Sequence, residues 1–280
     1  MIARRPRISR WIAVFLIVLW SLFPIYWALN TSFMTNSQAQ SVPAQFVPVP
    51  PSLANYQTIF STGTSGIWDG FREAVLNTTI ECLLATLVTV AISILGAYAF
   101  VRMEFRFKKV IFYVTIATLS LPAYATLIPL YRIMSEFRLV NTYAGVVLVY
   151  VSGFLPLSLW ILYNYFSTIP KELDESAYVD GASPLKTMLL IMLPLTGPGI
   201  ASAAIISFLQ AWGQFLFPLV LTSDLKTQPL TVFMTSLLGR HTVPFTLMNA
   251  TGILTVFVPA AIVVFLNRHI VRGLIAGSIK

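Results

Sequence analysis

The chain has 280 residues, of which 57% are hydrophobic and only 10% charged, with a formal net charge of +8. A soluble domain carries about 25% charged residues, so a soluble enzyme, a nucleic-acid-binding domain and a disordered protein are all poor readings. The apolar residues gather instead into stretches of about 20, the length of helix that crosses a hydrocarbon core, and the composition reads as an all-α membrane protein.

Six transmembrane helices are predicted in chain order, over residues 11–29, 78–100, 110–131, 143–165, 199–221 and 249–266. The first follows Arg4, Arg5, Arg7 and Arg10, as a signal peptide would. It is long, however, ends in Tyr26-Trp27 and lacks a small-x-small cleavage site, which marks an uncleaved helix. Glu81 is the only charged residue inside any span. An intramembrane acid is a functional candidate by default; Glu81 either lines a permeation cavity or, near the end of its helix, reaches the interface or pairs with Arg72. The single Cys82 excludes an internal disulfide and reads as a packed thiol.

Lys and Arg collect in cytoplasmic loops. With the N-terminus inside, thirteen of the eighteen lie inside and five outside, so both termini are expected to be cytoplasmic. The scheme divides the chain into residues 1–30 (tail and first helix), 31–72 (an extracytoplasmic loop), 73–267 (the transmembrane domain) and 268–280 (a cytoplasmic tail). Pro48, Pro50 and Pro51 hold part of the first outer loop extended. A second long outer segment, 222–248, carries Asp224, Lys226, Gln228, Arg240 and His241. A loop of that length is more often functional than idle.

The inner loop after the fourth span, within residues 170–194, differs from the rest. Ser167-Thr168-Ile169-Pro170 offers a helix start, and Glu172, Asp174 and Glu175 follow where negative charge complements the helix dipole. Gly181 is placed to stop that helix in a left-handed conformation. Ser183-Pro184 starts a second, whose apolar residues recur at helical spacing until Pro194. This short helix–turn–helix is either a solvated connector or a docking knob. In the second reading Ser176, Ala177, Gly181 and Ala182 permit close approach by a partner, and Glu175 and Asp180 offer it carboxylates.

The run Glu175-Ser176-Ala177-Tyr178-Val179-Asp180-Gly181-Ala182-Ser183, followed by Leu193-Pro194-Leu195 and Pro198, resembles the EAA loop of ABC importer permeases. Asn55-Tyr56, Ala97-Tyr98-Ala99-Phe100, Ile128-Pro129-Leu130-Tyr131 and the C-terminal run from Ile270 are similar to the carbohydrate-type branch, in particular to the G-type subunits of maltose importers. The resemblance implies a type I ABC importer permease fold in a bacterial or archaeal cytoplasmic membrane. It implies a heterodimer with a second permease, two ATP-binding cassette subunits that carry the ATP and Mg, and an extracytoplasmic sugar-binding protein. It gives residues 172–186 the role of coupling to the ATPase. Arg272, Gly273, Gly277 and Lys280 would form a tail docked on the same partner, against a frayed basic end as the alternative. The outer loop 222–248 would contact the binding protein, against a packed surface linker.

The absences agree with a transport subunit rather than an enzyme. There is no Gly-x-x-x-x-Gly-Lys-Ser/Thr, and His241 and His269 fall on opposite sides of the membrane, so neither ATP nor a metal is expected on this chain. The basic charge suits the cytoplasmic membrane surface and its lipid rather than nucleic acid. An ion-coupled secondary transporter is the alternative, but it usually needs several intramembrane ionisable residues or inverted repeats.

Overall fold

A computed structural model describes residues 8–62, 67–238 and 245–276, with side chains from residue 10 to residue 266 of these. Among the described residues all regular structure is helical. In chain order it runs α1 (Ile8–Ser32), α2 (Asn36–Ala39), α3 (Ala54–Phe60), α4 (Trp68–Arg102), α5 (Lys108–Ala117), a 3-10 turn (Thr118–Ser120), α6 (Ala123–Glu136) and α7 (Tyr143–Ser167). It continues with α8 (Glu172–Val179), α9 (Pro184–Thr187), a π-helical turn (Met188–Met192), α10 (Leu193–Leu195), α11 (Gly197–Trp212), α12 (Leu216–Leu221), α13 (Leu230–Ser236) and α14 (Phe245–Ala276).

Among the described residues four helices are long and apolar enough to cross a membrane: α1, α4, α7 and α14. The predicted third span is not straight, and a second bend lies just before the predicted fifth, 199–221. Lys108–Ser120 and Ala123–Glu136 meet at 107°, and Pro184–Leu195 and Gly197–Trp212 at 79°; the number of spans reaches six if each bent pair is one. Proline explains both bends. Pro122 precedes α6 with extended backbone, and Pro198 lies in the first turn of α11. Neither has an N–H to extend the preceding ladder, and Pro122 also disfavours helical backbone at Leu121, which is extended. The predicted fifth span itself breaks further on, because α11 stops before Gly213 and α12 begins only at Leu216. The second span begins ten residues earlier than expected, at Trp68, and α2, α3 and α13 are helices inside segments expected to be loop.

The chain forms two compact units, one of residues up to Arg72 with Met234–Val258, the other of Glu73–Phe233 with the chain from Pro259 on. In the first, the Asn55-Tyr56 pair is a staple. Asn55 Nδ2 donates to the carbonyls of Ser32 and Met34, each at 2.9 Å, and the Tyr56 and Ser32 hydroxyls lie 2.8 Å apart. Thr246 Oγ1 donates to Asn36 Oδ1 (2.8 Å) and Asn55 Oδ1 (3.1 Å), tying the start of α14 to the same node. Thr35 and Gln38 form a capping box on α2.

In the second unit α7 is the most enclosed of the long helices. Its residues Leu159, Ile161, Leu162 and Phe166 pack with Val90, Ala97 and Tyr98 of α4, Met188 and Met192 of the π-helical turn, and Ala203 of α11. Lipid is as apolar as these side chains, so close packing rather than removal from water holds such helices together. Gly199 shows the tightness: a Cβ there would lie 2.5 Å from the ring of Tyr165. Only glycine lets α11 run this close to α7.

Candidate functional site

Residues 172–187 form a helix–turn–helix fastened to the end of α4. The expected start at 167–170 does not form. The Ser167 and Thr168 hydroxyls donate back to the carbonyls of Tyr163 (2.7 Å) and Tyr165 (2.8 Å), finishing α7 instead. α8 begins two residues later, at Glu172, with Lys171 before it and no side-chain cap. Its acidic first turn stabilises the end that a cap would otherwise hold. Gly181 adopts φ +80°, and the Ala182 N–H donates to the Ala177 carbonyl at 2.9 Å, which closes the turn. Ser183 then caps α9 by accepting from the Lys186 N–H, with Pro184 next in line. Pro194 does not end this helix. The π-helical turn Met188–Met192 precedes it, and helical backbone runs on to Leu195. A wider turn lengthens the ladder just where a proline lacks its donor.

Asp174 and Ala177, three residues apart and therefore on one helix face, are buried. Asp174 forms an ion pair with Arg102, the last residue of α4, the two side chains being 5% and 7% exposed. Arg102 Nη2 also donates to the Ile169 carbonyl at 2.9 Å. One turn back on α4, the Tyr98 hydroxyl donates to the Pro184 carbonyl at 3.0 Å and lies 3.4 Å from that of Tyr178. α8 and α9 are thus both held by the end of α4. None of these contacts was legible as a site from sequence. Asp174 looks like its neighbours Glu172 and Glu175, and the shared face with Ala177 is its only distinguishing signal.

The opposite face is open. Glu172, Glu175, Ser176, Asp180, Gly181, Ser183 and Pro194 are exposed and Ala182 half-buried. Ala177 is the exception among the small residues expected to receive a partner, because it packs inward. Tyr178, Leu185 and above all Val179, 88% exposed, add apolar surface beside the carboxylates. A cavity of about 710 Å³ adjoins the clamp, with Arg102, Lys108, Lys109, Phe112, Tyr163 and Lys171 in its wall. Glu104 lines it too, and the Lys108 ammonium, 3.0 Å away, holds its exposed carboxyl below the usual range.

The segment 222–248 is less free than its sequence suggests. Asn77, 4% exposed, donates from Nδ2 to the carbonyls of Leu225 (2.8 Å) and Gln228 (3.0 Å). Tyr143, the first residue of α7, donates its hydroxyl to Asn77 Oδ1 (2.5 Å) and to the Lys226 carbonyl (3.1 Å). The Leu230 N–H donates to Thr78 Oγ1 at 2.7 Å. Residues 225–230 are therefore pinned to α4 at its tenth and eleventh residues, Asn77 and Thr78, and to the beginning of α7. Asp224 and Lys226 are exposed, and Gln228 is half-buried and held through its carbonyl. Arg240 and His241 lie outside the described residues, as do Gly277 and Lys280, while Arg272 and Gly273 belong to the last turns of α14.

Glu81 is wholly buried, and neither of its oxygens has a hydrogen-bond partner among the described residues. Arg72 does not pair with it: the two ion pairs among the described residues are Arg102–Asp174 and Lys108–Glu104. Glu81, Thr89 and Ser93 are all completely buried and fall on one face of α4 at multiples of four residues. No group of three or more His, Cys, Asp or Glu among the described residues is arranged to hold a metal ion.

The sequence matches the family described as binding-protein-dependent transport system inner membrane component over residues 90–275. The trehalose/maltose transport system permease protein MalG of Thermococcus litoralis is 34% identical over 275 residues, which make up 98% of this chain and 97% of that protein. The sulfoquinovosyl glycerol transport system permease protein SmoH of Agrobacterium fabrum is 30% identical over 271 residues, 97% and 93% of the two chains. Among solved structures, a bacterial ABC transporter involved in the import of the acidic polysaccharide alginate has the same fold. Its chain aligns with a TM-score of 0.79 at 19% identity, covering 96% of this chain and 98% of its own. In a bacterial alginate ABC transporter in complex with an alginate pentasaccharide-bound periplasmic protein, the matching TM-score is 0.61, at 18% identity and 93% coverage of both chains.

Proposed function

The chain belongs to the family of binding-protein-dependent transport system inner membrane components, and we propose that it forms half of the translocation pathway of an ATP-driven importer for a sugar or sugar-like solute. Its relatives are transport permeases, not enzymes. In this reading a second permease completes the pathway, two ATP-binding cassette subunits carry the ATP and Mg, and an extracytoplasmic binding protein delivers the solute. The names of the relatives, with their trehalose, maltose and sulfoquinovosyl glycerol, support the carbohydrate class. Six crossings, two of them broken, and both termini on the cytoplasmic side agree with the excess of Lys and Arg in the segments assigned to the inside.

The observation that carries the reading is the helix–turn–helix at residues 172–187. One face is fixed to α4 through a buried ion pair, and the other presents exposed carboxylates beside Val179, Tyr178 and Leu185. A solvated connector has no need of a rigid base or of an apolar outer face. A lever between an ATPase and a membrane helix needs both. Arg272, Gly273, Gly277 and Lys280 would give the same partner a second contact, and Asp224, Lys226, Gln228, Arg240 and His241 would face the binding protein.

The test is purification of the tagged chain from its own cells in mild detergent, with ATP hydrolysis measured on the eluate. The wild type should bring an ATPase with it. Val179→Glu places a charge on the outer face without touching the clamp, and should lose that ATPase while the permease stays in the membrane. Full ATPase recovery with Val179→Glu would refute the docking role.

A further inference from the structure

The broken spans meet around one cavity. It has a volume of about 500 Å³ and is walled by the bend between α5 and α6, by one stretch of α7, and by residues on either side of the break between α11 and α12. Binding pockets for small molecules run from roughly 300 to 1,000 Å³. The α7 stretch, Val149 to Phe154, starts six residues into a 25-residue helix, which is about 9 Å along its axis. The cavity therefore lies within the span and not at its edge. Non-helical backbone at such depth persists only where it is buried in protein or lines a water-filled space. Both breaks, at Leu121 and at Gly213 to Phe215, adjoin this space.

Its wall has a definite chemistry. None of its sixteen lining residues is Asp, Glu, Lys, Arg or His. Three are aromatic: Tyr150, Phe154 and Phe217. Two are amides, Gln210 and Gln214, and the Ser152 hydroxyl, like those of Thr118 and Thr126, donates to a backbone carbonyl of its own turn and keeps its lone pairs to accept. Polar side chains at membrane depth are expensive unless they meet a polar partner. Gln214 spends its Oε1 on the Phe215 N–H at 3.3 Å, capping the break, and its Nε2 makes none of the described hydrogen bonds. Gly153 stands open beside them: a Cβ added there would meet nothing within 4 Å.

We propose that this cavity is a solute-binding station of the pathway and that its ligand is an uncharged sugar, its ring faces against Phe154 and Phe217 and its hydroxyls on Gln210, Gln214 and Ser152. Amides and hydroxyls both donate and accept, as sugar hydroxyls require, and aromatic faces take the apolar faces of the rings. A purely apolar solute would leave the amides unpaired, and a charged one would find no counter-ion in a wall of low dielectric. This assignment rests on the transport reading above, and it narrows the solute to the neutral class although several relatives carry charged ones.

Two measurements on the whole transporter, purified with its co-assembling chains, separate the cavity from that reading. In the first, Gly153→Cys is treated with a charged, water-soluble methanethiosulfonate; Cys82 is fully buried and gives a low background. Modification is expected, and its absence overturns the proposal whatever the complex transports. In the second, vesicles containing the transporter and its binding protein are given a panel of neutral mono- and disaccharides, with glucuronate and sn-glycerol 3-phosphate as charged probes. Uptake should be confined to neutral sugars. Gly153→Trp should cut it at least tenfold while the complex still assembles. Equal uptake by Gly153→Trp, or uptake of a charged probe, overturns the proposal. A complex that moves none of the panel refutes the sugar-transport reading instead, and leaves the thiol result to decide whether the cavity is aqueous.

Discussion

Replacing Arg102 by Met removes the peg that holds the inner helix–turn–helix on α4. Both members of the Arg102–Asp174 pair are more than nine-tenths buried. An exposed pair is worth about 0–1 kcal/mol, whereas losing one partner of a buried pair costs about 3–5 kcal/mol, because the other is left uncompensated. Arg102→Met strands the Asp174 carboxylate and also the Ile169 carbonyl that Nη2 satisfies at 2.9 Å. Asp174→Asn keeps the shape and leaves Arg102 its carbonyl, so it should cost less. Removing both charges with Arg102→Met and Asp174→Leu together should recover much of the loss, since the site then holds no unpaired ion.

Tenfold in an equilibrium corresponds to about 1.4 kcal/mol, so the single substitution should raise the open population of the loop by roughly two to four orders of magnitude. Lys171 and Lys186, both exposed, flank α8 and provide tryptic sites. When opening and closing outpace cleavage, the cleavage rate follows that population. The measurement is the tryptic rate at these two sites in the detergent-solubilised chain. Arg102→Met should be the fastest, Asp174→Asn intermediate, and the double variant nearer wild type. Single-variant rates within twofold of wild type would show the pair to be worth no more than a surface bridge and would refute the clamp. A double variant as labile as Arg102→Met would show that something other than the unpaired charge weakens the loop.

Two further outcomes follow from geometry at single residues. At Gly181 the added Cβ of Gly181→Val would meet open space, so its cost is the left-handed backbone alone, about 1–2 kcal/mol; the same tryptic assay should show a roughly 5- to 30-fold rise, and less for Gly181→Asn, which tolerates that conformation. Asn77→Ala deletes three hydrogen bonds around the outer segment and leaves the carbonyls of Leu225 and Gln228 without their donor, a loss of about 1–3 kcal/mol; faster cleavage after the exposed Lys226 is expected, and an unchanged rate would show that the segment is held elsewhere.

The parts of the fold legible in the sequence are those governed by runs of apolar residues and by backbone chemistry. Predicted spans over 143–165 and 249–266 lie inside α7 and α14, and Gly181, Ser183 and Pro184 take the turn and cap positions that their chemistry assigns them. Hydropathy averages over a window and so sees no bend. The third span looks continuous across Pro122, and the fifth across Gly213, because the flanking residues remain apolar on both sides of each break. The prolines carried the information, but proline is tolerated within membrane helices where neighbours satisfy the freed backbone groups. α1, α7 and α14 contain Pro24, Pro156 and Pro259 without ending there. A proline therefore marks where a bend is permitted, and packing decides which one is used.

The site divides along the same line. Residues 172–187 stand out because their composition departs from the apolar chain around them, and a local pattern is enough to detect that. Arg102, Tyr98, Asn77 and Tyr143 were missed because their partners are remote. Asn77 reaches residues 148 and 151 positions away, and Tyr98 reaches a carbonyl 86 positions away. No periodicity encodes a contact of that range. A physical asymmetry would have narrowed the search. Asn77, the tenth residue of α4, has a side chain that both donates and accepts, and Arg102 ends the same helix with a charge that must be met. Polar residues set into one long apolar helix are where that helix is fastened to the rest of the chain. On α4 the fastening at Arg102 holds the loop whose other face is open, and the one at Asn77 and Thr78 holds the segment leading into α13. A helix fixed at two points cannot shift along its axis without moving both attachments, so a displacement at residues 172–187 that is carried by α4 must also be felt at residues 225–230.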